Sequence, residues 1–558
     1  MAVLVSERHA HTGPVVHHVP GLNSRGQGYP VDETEGPADD SREGLAPTSP
    51  AVPGSDERRE LFVLLVSAIG TPVNEVQTDL EAAFRAVGYS PRFVRISQLL
   101  DATSADERPE ETCPTEWLMD LGDRLREQSG TQGAAAMLAV LKIRADRAEA
   151  NSGEEGEDVD RAGVVTIIRS AKRAEEVDFL RNIYGSRLLV IGVSQAEEKR
   201  RETLAARLGR ERDESSGISN AALADKLLRR DEEDPDNDWG QSLQKAFGRA
   251  DAFLWIRSGH ATRDQVNRLV ELWFQQPFTS PTRDELAMYH ASAAQYRSAA
   301  AGRQVGVAII DEDGEVLVTG TNEVPKPGGG QYWPDDSPDY RDFKLNYETN
   351  DIGKRDVIQD VLRRLKASGW LSTEPARMDD VALVDAAIAR TGPLEDSRVT
   401  DLIEFGRIVH AEMAAICTAA RRGTALRGST LYTTTYPCHE CARLIIAAGI
   451  IRVVYIAPYT KSQVKMLFSD LVSHTPSGGS GGRAVEILPF EGVAPEMFPT
   501  VFRMGRRDRL PDGTFESWTP SPPTSRKQAI VPTLGDEGAA VAEFAQTSFG
   551  QAWLGQGE

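Results

Sequence analysis

Apolar residues fall in short blocks along this chain, separated by charged and glycine-rich stretches. The first block, Leu61-Phe-Val-Leu-Leu-Val-Ser-Ala-Ile69, has no polar face and ends at Gly70-Thr-Pro-Val73, which predicts a strand buried on both sides. Asn74 is placed to cap a helix, and Val76, Leu80, Ala83, Phe84 and Val87 recur at helical spacing until Gly88 stops the run. Arg92–Ser97, Val164–Ile168, Arg187–Ser194 and Ala252–Ile256 read as further strands, with a helical segment Arg173–Tyr184 among them. Strand and helix alternate, so residues 58–278 are expected to form a parallel α/β sheet covered on both faces. The charged stretches Asn151–Asp160 and Asp231–Asp238 read as solvated loops.

A second pattern opens at Thr279-Ser-Pro-Thr282, where a proline and a cap precede a helix beginning near Asp284. Val305–Ile310 and Val316–Asn322 then flank Asp311-Glu-Asp-Gly314, whose glycine can take positive φ, and this predicts a hairpin. Residues 335–397 are charged and weakly patterned, and helices with a mobile insertion are expected there. Next come a helix over Ile408–Arg421, a strand over Ser429–Thr434, a second helix opened by Pro437, and a strand over Arg452–Ile456. This crossover unit belongs to a second domain over residues 279–510, and the Gly- and Ser-rich Pro476–Gly482 marks a loop in it. Residues 511–558 read as a Pro-, Gly- and Ser-rich tail, and residues 1–57, with no apolar core of a secretory signal, as a disordered tail.

A chain of 558 residues exceeds one ordinary core, which agrees with two folded domains. No apolar run is long enough to cross a bilayer, so no membrane role is expected. Four cysteines, two of them in one short motif, suit a reducing, cytoplasmic setting and a metal site better than a disulfide framework. The formal charge of −21 repels a polynucleotide backbone, and no sustained basic stripe offsets it. A small anionic substrate needs only a few cations in one pocket and is compatible with that charge.

The segments Val409-His410-Ala411-Glu412 and Tyr436-Pro437-Cys438-His439-Glu440-Cys441 carry the chemistry. They spell H-x-E and P-C-x-x-C, the pattern of zinc nucleobase deaminases. His410, Cys438 and Cys441 offer one imidazole and two thiolates to tetrahedral Zn2+ and leave a fourth position for water, whose pKa the metal lowers toward neutrality. Glu412 is not needed as a ligand and is the expected proton shuttle between that water, the ring nitrogen and the departing ammonia. The expected helices place His410 and Glu412 in one first turn, and Cys438 and Cys441 at i and i+3 on the other. Both helix amino termini then favour thiolate at the metal. A closed structural zinc knot would need a fourth ligand, for which Cys417, His439 and His474 are the candidates. Cys417 and Cys113 read instead as small core residues, and His260 and His290 as surface or satisfied histidines.

With those residues in view, the sequence resembles the deoxycytidylate deaminase branch of the cytidine deaminase superfamily. Over its ordered length it is similar to the bacterial anti-phage deoxycytidine-nucleotide deaminases, which join a P-loop kinase-like domain to a deaminase. Beyond the zinc motif, the resemblance rests on Arg303-Gln-Val-Gly306, Gly320–Gly330, Pro458-Tyr-Thr-Lys-Ser462, Ile168–Lys172 and Tyr184-Gly185. It implies an α/β fold class: an N-terminal P-loop-like parallel α/β domain followed by a cytidine-deaminase-like α/β/α domain with a mixed sheet. It further implies hydrolytic deamination of free dCTP or dCMP, nucleotide depletion during phage infection, a homo-oligomer, and in some members control by a small RNA. Asn322 is implied at the sugar and the Ala411 backbone at the pyrimidine edge, with Arg303, Lys326 and Lys461 as candidates for phosphate. Gly328-Gly-Gly330 either presents N–H groups to phosphate or forms a flexible turn. The loop Ala68–Glu75 lacks the G-K-[ST] ending of a phosphate loop, so phosphoryl transfer is not expected. That leaves the first domain a degenerate module with a regulatory, assembly or purely structural role. A polynucleotide cytosine deaminase, or a nucleotide- or RNA-binding regulator with a vestigial site, are the alternatives.

Overall fold

Leu61–Ser67 forms strand β1, and its alternating side chains feed two different layers. Phe62, Leu64 and Val66 enter one apolar cluster while Leu61, Val63 and Leu65 enter another, all of them at most 1% exposed. A strand buried on both faces belongs inside a sheet covered by helices, as the unbroken apolar run predicts. The computed structural model describes residues 59–547, apart from 105–106, 111, 151–162, 212–218, 235–236, 258–261, 396, 460, 477–483, 504–509, 516 and 521–533. The expected tail over 1–57, the loop Asn151–Asp160, most of Pro476–Gly482, and His260 therefore lie outside the described residues.

After β1 come helix α1 (Val73–Ala86), strand β2 (Ser90–Arg95), helix α2 (Ala134–Ala150) and strand β3 (Val164–Ala171). The chain continues through α3 (Ala174–Tyr184), β4 (Leu188–Gln195), α4 (Glu197–Glu211), α5 (Asn220–Glu232), β5 (Ala252–Ile256) and α6 (Thr262–Trp273). The five strands lie parallel in the order β2-β3-β1-β4-β5. The sheet is nevertheless mixed, because a sixth strand named below pairs antiparallel with β5. The α1 cap differs from the sequence reading. Pro72 is the N-cap, with no side-chain cap bond, and Asn74 lies inside the first turn, where its Oδ1 accepts from Arg169 at 2.8 Å. Proline already fixes the turn, which leaves Asn74 free to reach across to β3. The solvated-loop reading also fails at Asp231, which ends α5 fully buried. Its carboxylate accepts from Ile69 N at 2.8 Å and pairs with Lys172 Nζ at 2.7 Å. An acid with two such partners is stable inside.

The second sheet begins with α7 (Arg283–Gln295), whose N-cap Thr282 and Glu285 complete a reciprocal capping box. Strands β6 (Gly306–Ile310) and β7 (Val316–Thr321) form the expected hairpin. Helices α8 (Thr349–Ala367) and α9 (Asp380–Ile388) pack together within the 335–397 segment, burying Ile358, Leu383 and Val384. Then follow α10 (Ala411–Arg422), β8 (Thr430–Thr435), α11 (His439–Ala447), β9 (Arg452–Ala457), β10 (Val472–Ser473) and β11 (Val485–Pro489). The strand order is β10-β11-β9-β8-β6-β7, parallel from β10 to β8 and antiparallel through β6 and β7.

The protein is thus α/β with two mixed sheets. One apolar cluster runs from Phe62 and Tyr184, stacked at 3.6 Å, to Met288, Tyr432 and Phe490 of the second half, so the two sheets share core. After β11 the chain returns to the first sheet, where β12 (Gly492–Val493) pairs antiparallel with β5. The segment expected as a tail contains a helix, α12 (Leu534–Gln546). Its Glu537 and the strand-leading Glu60 grip Arg147 of α2, and all three side chains are at most 2% exposed. Among the described residues no helix is long and apolar enough to cross a membrane.

Candidate metal centre

Two helix starts converge here because the sequence breaks each helix at the ligand itself. Val409 and Glu323 exchange backbone hydrogen bonds of 3.2 and 3.3 Å, which keeps the chain extended up to His410. His410 is the N-cap of α10, with φ −64° and ψ 156°, and Cys438 is the N-cap of α11, with φ −72° and ψ 167°. Both ligands therefore stand one residue before their helices rather than inside the first turn. An extended cap folds its side chain back over the first N–H groups, and Cys438 Sγ indeed accepts from Cys441 N at 3.5 Å.

Gly320 of β7 lets α10 close down on the sheet. A Cβ at that position would stand 2.2 Å from the Ala411 carbonyl oxygen and 2.8 Å from Ala415 N. This approach fixes the height of Glu412 over the cluster. Ala411, Ala415 and Ala419 share the buried face of α10. Cys417, expected in the core, is exposed because two residues of helix turn it to the far side from Ala415. Cys113 is buried as expected, at the cap of the helix Pro114–Ser129.

His410 Nδ1 lies 3.3 Å from Cys438 Sγ and 3.4 Å from Cys441 Sγ, and the three donor atoms all lie within 4.8 Å of one another. Zinc bonds of about 2.3 Å to sulfur and about 2.0 Å to nitrogen imply tetrahedral edges of roughly 3.5–3.8 Å, so the set fits that ion. No fourth Cys or His joins it among the described residues. His474 instead bonds Tyr436 Oη at 2.8 Å. Glu412, 4% exposed, holds Oε2 at 3.3 Å from Cys441 Sγ.

Proton positions follow from this crowding. The Cys441 thiol, hydrogen bonding to Cys438, pulls the Cys438 pKa well down, and His410 adds to the effect. The same hydrogen bond, with burial, pushes Cys441 up. His410 is raised by its bond to Cys438, and Glu412 is raised chiefly by burial and next by the charge on Cys438. The two sulfurs are thus shifted in opposite directions, and zinc binding must draw the proton from the one that is raised.

The remaining predicted residues differ in how their polar groups are engaged. Asn322 is 9% exposed; its Oδ1 accepts from Val305 N at 2.7 Å and its Nδ2 donates to Arg303 O at 2.8 Å. Asn322 thereby shapes the Arg303–Val305 segment. Arg303 itself is exposed. Lys326 pairs with both oxygens of Asp336 at 2.6 and 2.9 Å, and Lys461 with Asp401 at 2.5 Å. Gly328, Gly329 and Gly330 all have positive φ, between 82° and 97°, so this turn needs glycine throughout. Ala411, as the first helical residue, has an N–H with no intrahelical acceptor. Ser462 lies in the Pro458–Ser462 stretch that carried the resemblance but was given no role there; its Oγ donates to Pro437 O at 2.8 Å and so braces the Cys438 cap. Tyr459 of the same stretch, also given no role, has its hydroxyl raised by burial and then by the charge of Cys438.

Residues 281–457 match the family described as the cytidine and deoxycytidylate deaminase zinc-binding region. A stretch of 55 residues is 44% identical to the deoxycytidylate deaminase of Enterobacteria phage T2, covering 10% of this chain and 29% of that protein. Over 65 residues the chain is 45% identical to the probable deoxycytidylate deaminase of Drosophila melanogaster, 12% of this chain and 28% of the relative. The matches thus span less than a third of these relatives' length. The crystal structure of dCMP deaminase from cyanophage S-TIM5 in complex with dCMP and dUMP aligns at 16% identity and a TM-score of 0.21, over 38% of this chain and 100% of that one. His410, Cys438 and Cys441 lie within the matched residues, and their cluster is consistent with a zinc site.

Proposed function

We propose that the centre hydrolyses the exocyclic amine of a free deoxycytidine nucleotide, dCMP or dCTP. The observation that carries this reading is the buried Glu412 carboxylate beside a three-ligand cluster, 3.3 Å from Cys441 Sγ. Zinc with three protein ligands activates water as a nucleophile near neutral pH. Glu412 would take one proton as water oxygen bonds to C4 and pass it to the ring nitrogen, then take the second from the new C4 hydroxyl and deliver it to the amine as the C4–N bond breaks. Ammonia and the uracil nucleotide are the products. Burial suits Glu412 to this exchange, because raising its pKa makes the carboxylate a stronger base than an exposed one.

The similarity to deoxycytidylate deaminases supports dCMP as substrate, and the resemblance to anti-phage deaminases supports dCTP and the draining of that pool during infection. The first sheet is a degenerate P-loop-like module: a loop and helix follow β1, but Asp231 takes the Ile69 N–H that a phosphate would use. Zinc-loaded full-length protein is tested against dCMP, dCTP, CMP, CTP and a single-stranded oligonucleotide, with uracil products and ammonia quantified. Conversion of a deoxycytidine nucleotide in preference to the others is expected. Preference for the oligonucleotide would instead establish a polynucleotide deaminase, and no conversion of any substrate would leave a binding protein.

A further inference from the structure

A cavity of about 360 Å³ lies between the two sheets, away from the zinc ligands themselves. The ends of β4 and β5 open into it from one side and the ends of β9 and β11 from the other. In α/β sheets ligands bind beyond the carboxyl ends of the strands, and here two sheets present those ends to one space. Phe247, Trp255, Tyr436, Tyr455 and Tyr459 supply aromatic walls. Size and aromatic lining suit a small planar molecule.

Charge narrows the ligand. Glu197, Glu198 and Glu232 face Arg200 and Lys465, three carboxylates against two cations, and both cations are already paired, Lys465 with Glu197 at 2.5 Å and Arg200 with Glu232 at 3.0 Å. The amino terminus of α4, a natural anion site, opens on Glu197 and Glu198, and Asp231 fills the loop after β1. Phosphate has no vacant cationic seat. Arg200 Nη1 and Gln195 Oε1 lack partners, but both are sealed behind the wall rather than open to the cavity.

We propose that this cavity binds an uncharged, planar heteroaromatic ligand of nucleobase or nucleoside size, and that its occupancy acts on the zinc centre. Tyr436, two residues before Cys438, packs edge-on against Tyr455 at 4.9 Å and bonds His474, while Ser462 at the rim holds Pro437 O. A ligand pressing on these rings moves the segment that carries Cys438. This second half rests on the zinc reading given above, whereas binding does not.

Calorimetry on the zinc-loaded full chain with thymidine, uridine, adenosine and guanosine, and with the matching triphosphates, tests the idea. At least one nucleoside binds saturably and more tightly than its triphosphate. Gln244→Trp, which fills the cavity from a half-exposed helix position, abolishes that binding, and Phe247→Ala weakens it by about tenfold through loss of a ring contact. The cobalt-substituted protein shows a shift of its thiolate-to-metal absorption when the nucleoside is added. The proposal is overturned if none of the four nucleosides binds, if the triphosphates bind more tightly, or if Gln244→Trp binds like wild type. Should no cytosine nucleotide be turned over, calorimetry and the cobalt spectrum still decide the matter. Binding without a spectral shift would reject the coupling.

Discussion

Replacing Gly320 by alanine inserts one methyl group between β7 and α10. In the present packing that carbon would lie 2.2 Å from the Ala411 carbonyl oxygen, 2.8 Å from Ala415 N and 2.9 Å from Ala415 Cβ. Carbon and oxygen rest at about 3.3 Å or more, so α10 must retreat by about 1 Å. Overpacking of this kind costs about 1–3 kcal/mol of stability. The retreat also lifts Glu412 and His410 from Cys438 and Cys441, and a shift of about 1 Å at reacting groups can cost about a hundredfold in rate. Denaturant unfolding, zinc stoichiometry and kcat on dCMP are measured for Gly320→Ala beside Gly302→Ala, whose added carbon meets nothing within 4 Å. The control is expected to stay within about 0.5 kcal/mol of wild type. Wild-type stability together with wild-type kcat in Gly320→Ala would refute the reasoning.

Arg147→Met leaves Glu60 and Glu537 buried without their shared cation, and chemical denaturation should show a loss of about 3–5 kcal/mol with early release of α12. Asp231→Ala strips Lys172 and the Ile69 N–H of an acceptor, and the same assay should register a loss of about 3 kcal/mol, with Asp231→Asn milder. In the zinc-loaded protein Cys417 should react quickly with a thiol reagent while Cys438 and Cys441 react only after chelation. Cys441 holds its proton through the bond to Cys438 and through burial, and zinc must displace it. Because that thiol titrates above the usual cysteine range, zinc affinity in a chelator competition should keep rising as the pH increases through neutrality and beyond, with protons released on binding.

Much of the site was legible because its chemistry is local in sequence. The H-x-E and P-C-x-x-C spacing named the four residues that the fold brings together, and strand Ala252–Ile256 was read with the bounds it has. What escaped depends on distant partners. Asp231 sits in an acidic run that reads as solvated, and only Lys172 and the loop after β1 make it a buried acid. Ala134 to Val140 of α2 is buried on every side, so it carries no helical periodicity to detect. The helix at Leu534–Gln546 has a place because Arg147, nearly four hundred residues away, needs a second carboxylate. Cys417 was misplaced by a judgement of apolarity where the phase of the alanines on α10 decides the face.

The most direct test compares wild type and Glu412→Ala, each loaded with zinc and checked to hold equal metal, for the rate at which dCMP loses its amine. The account predicts a zinc-dependent rate in wild type and a fall of about a hundredfold or more in the variant at unchanged zinc content. Equal rates in the two proteins would contradict it.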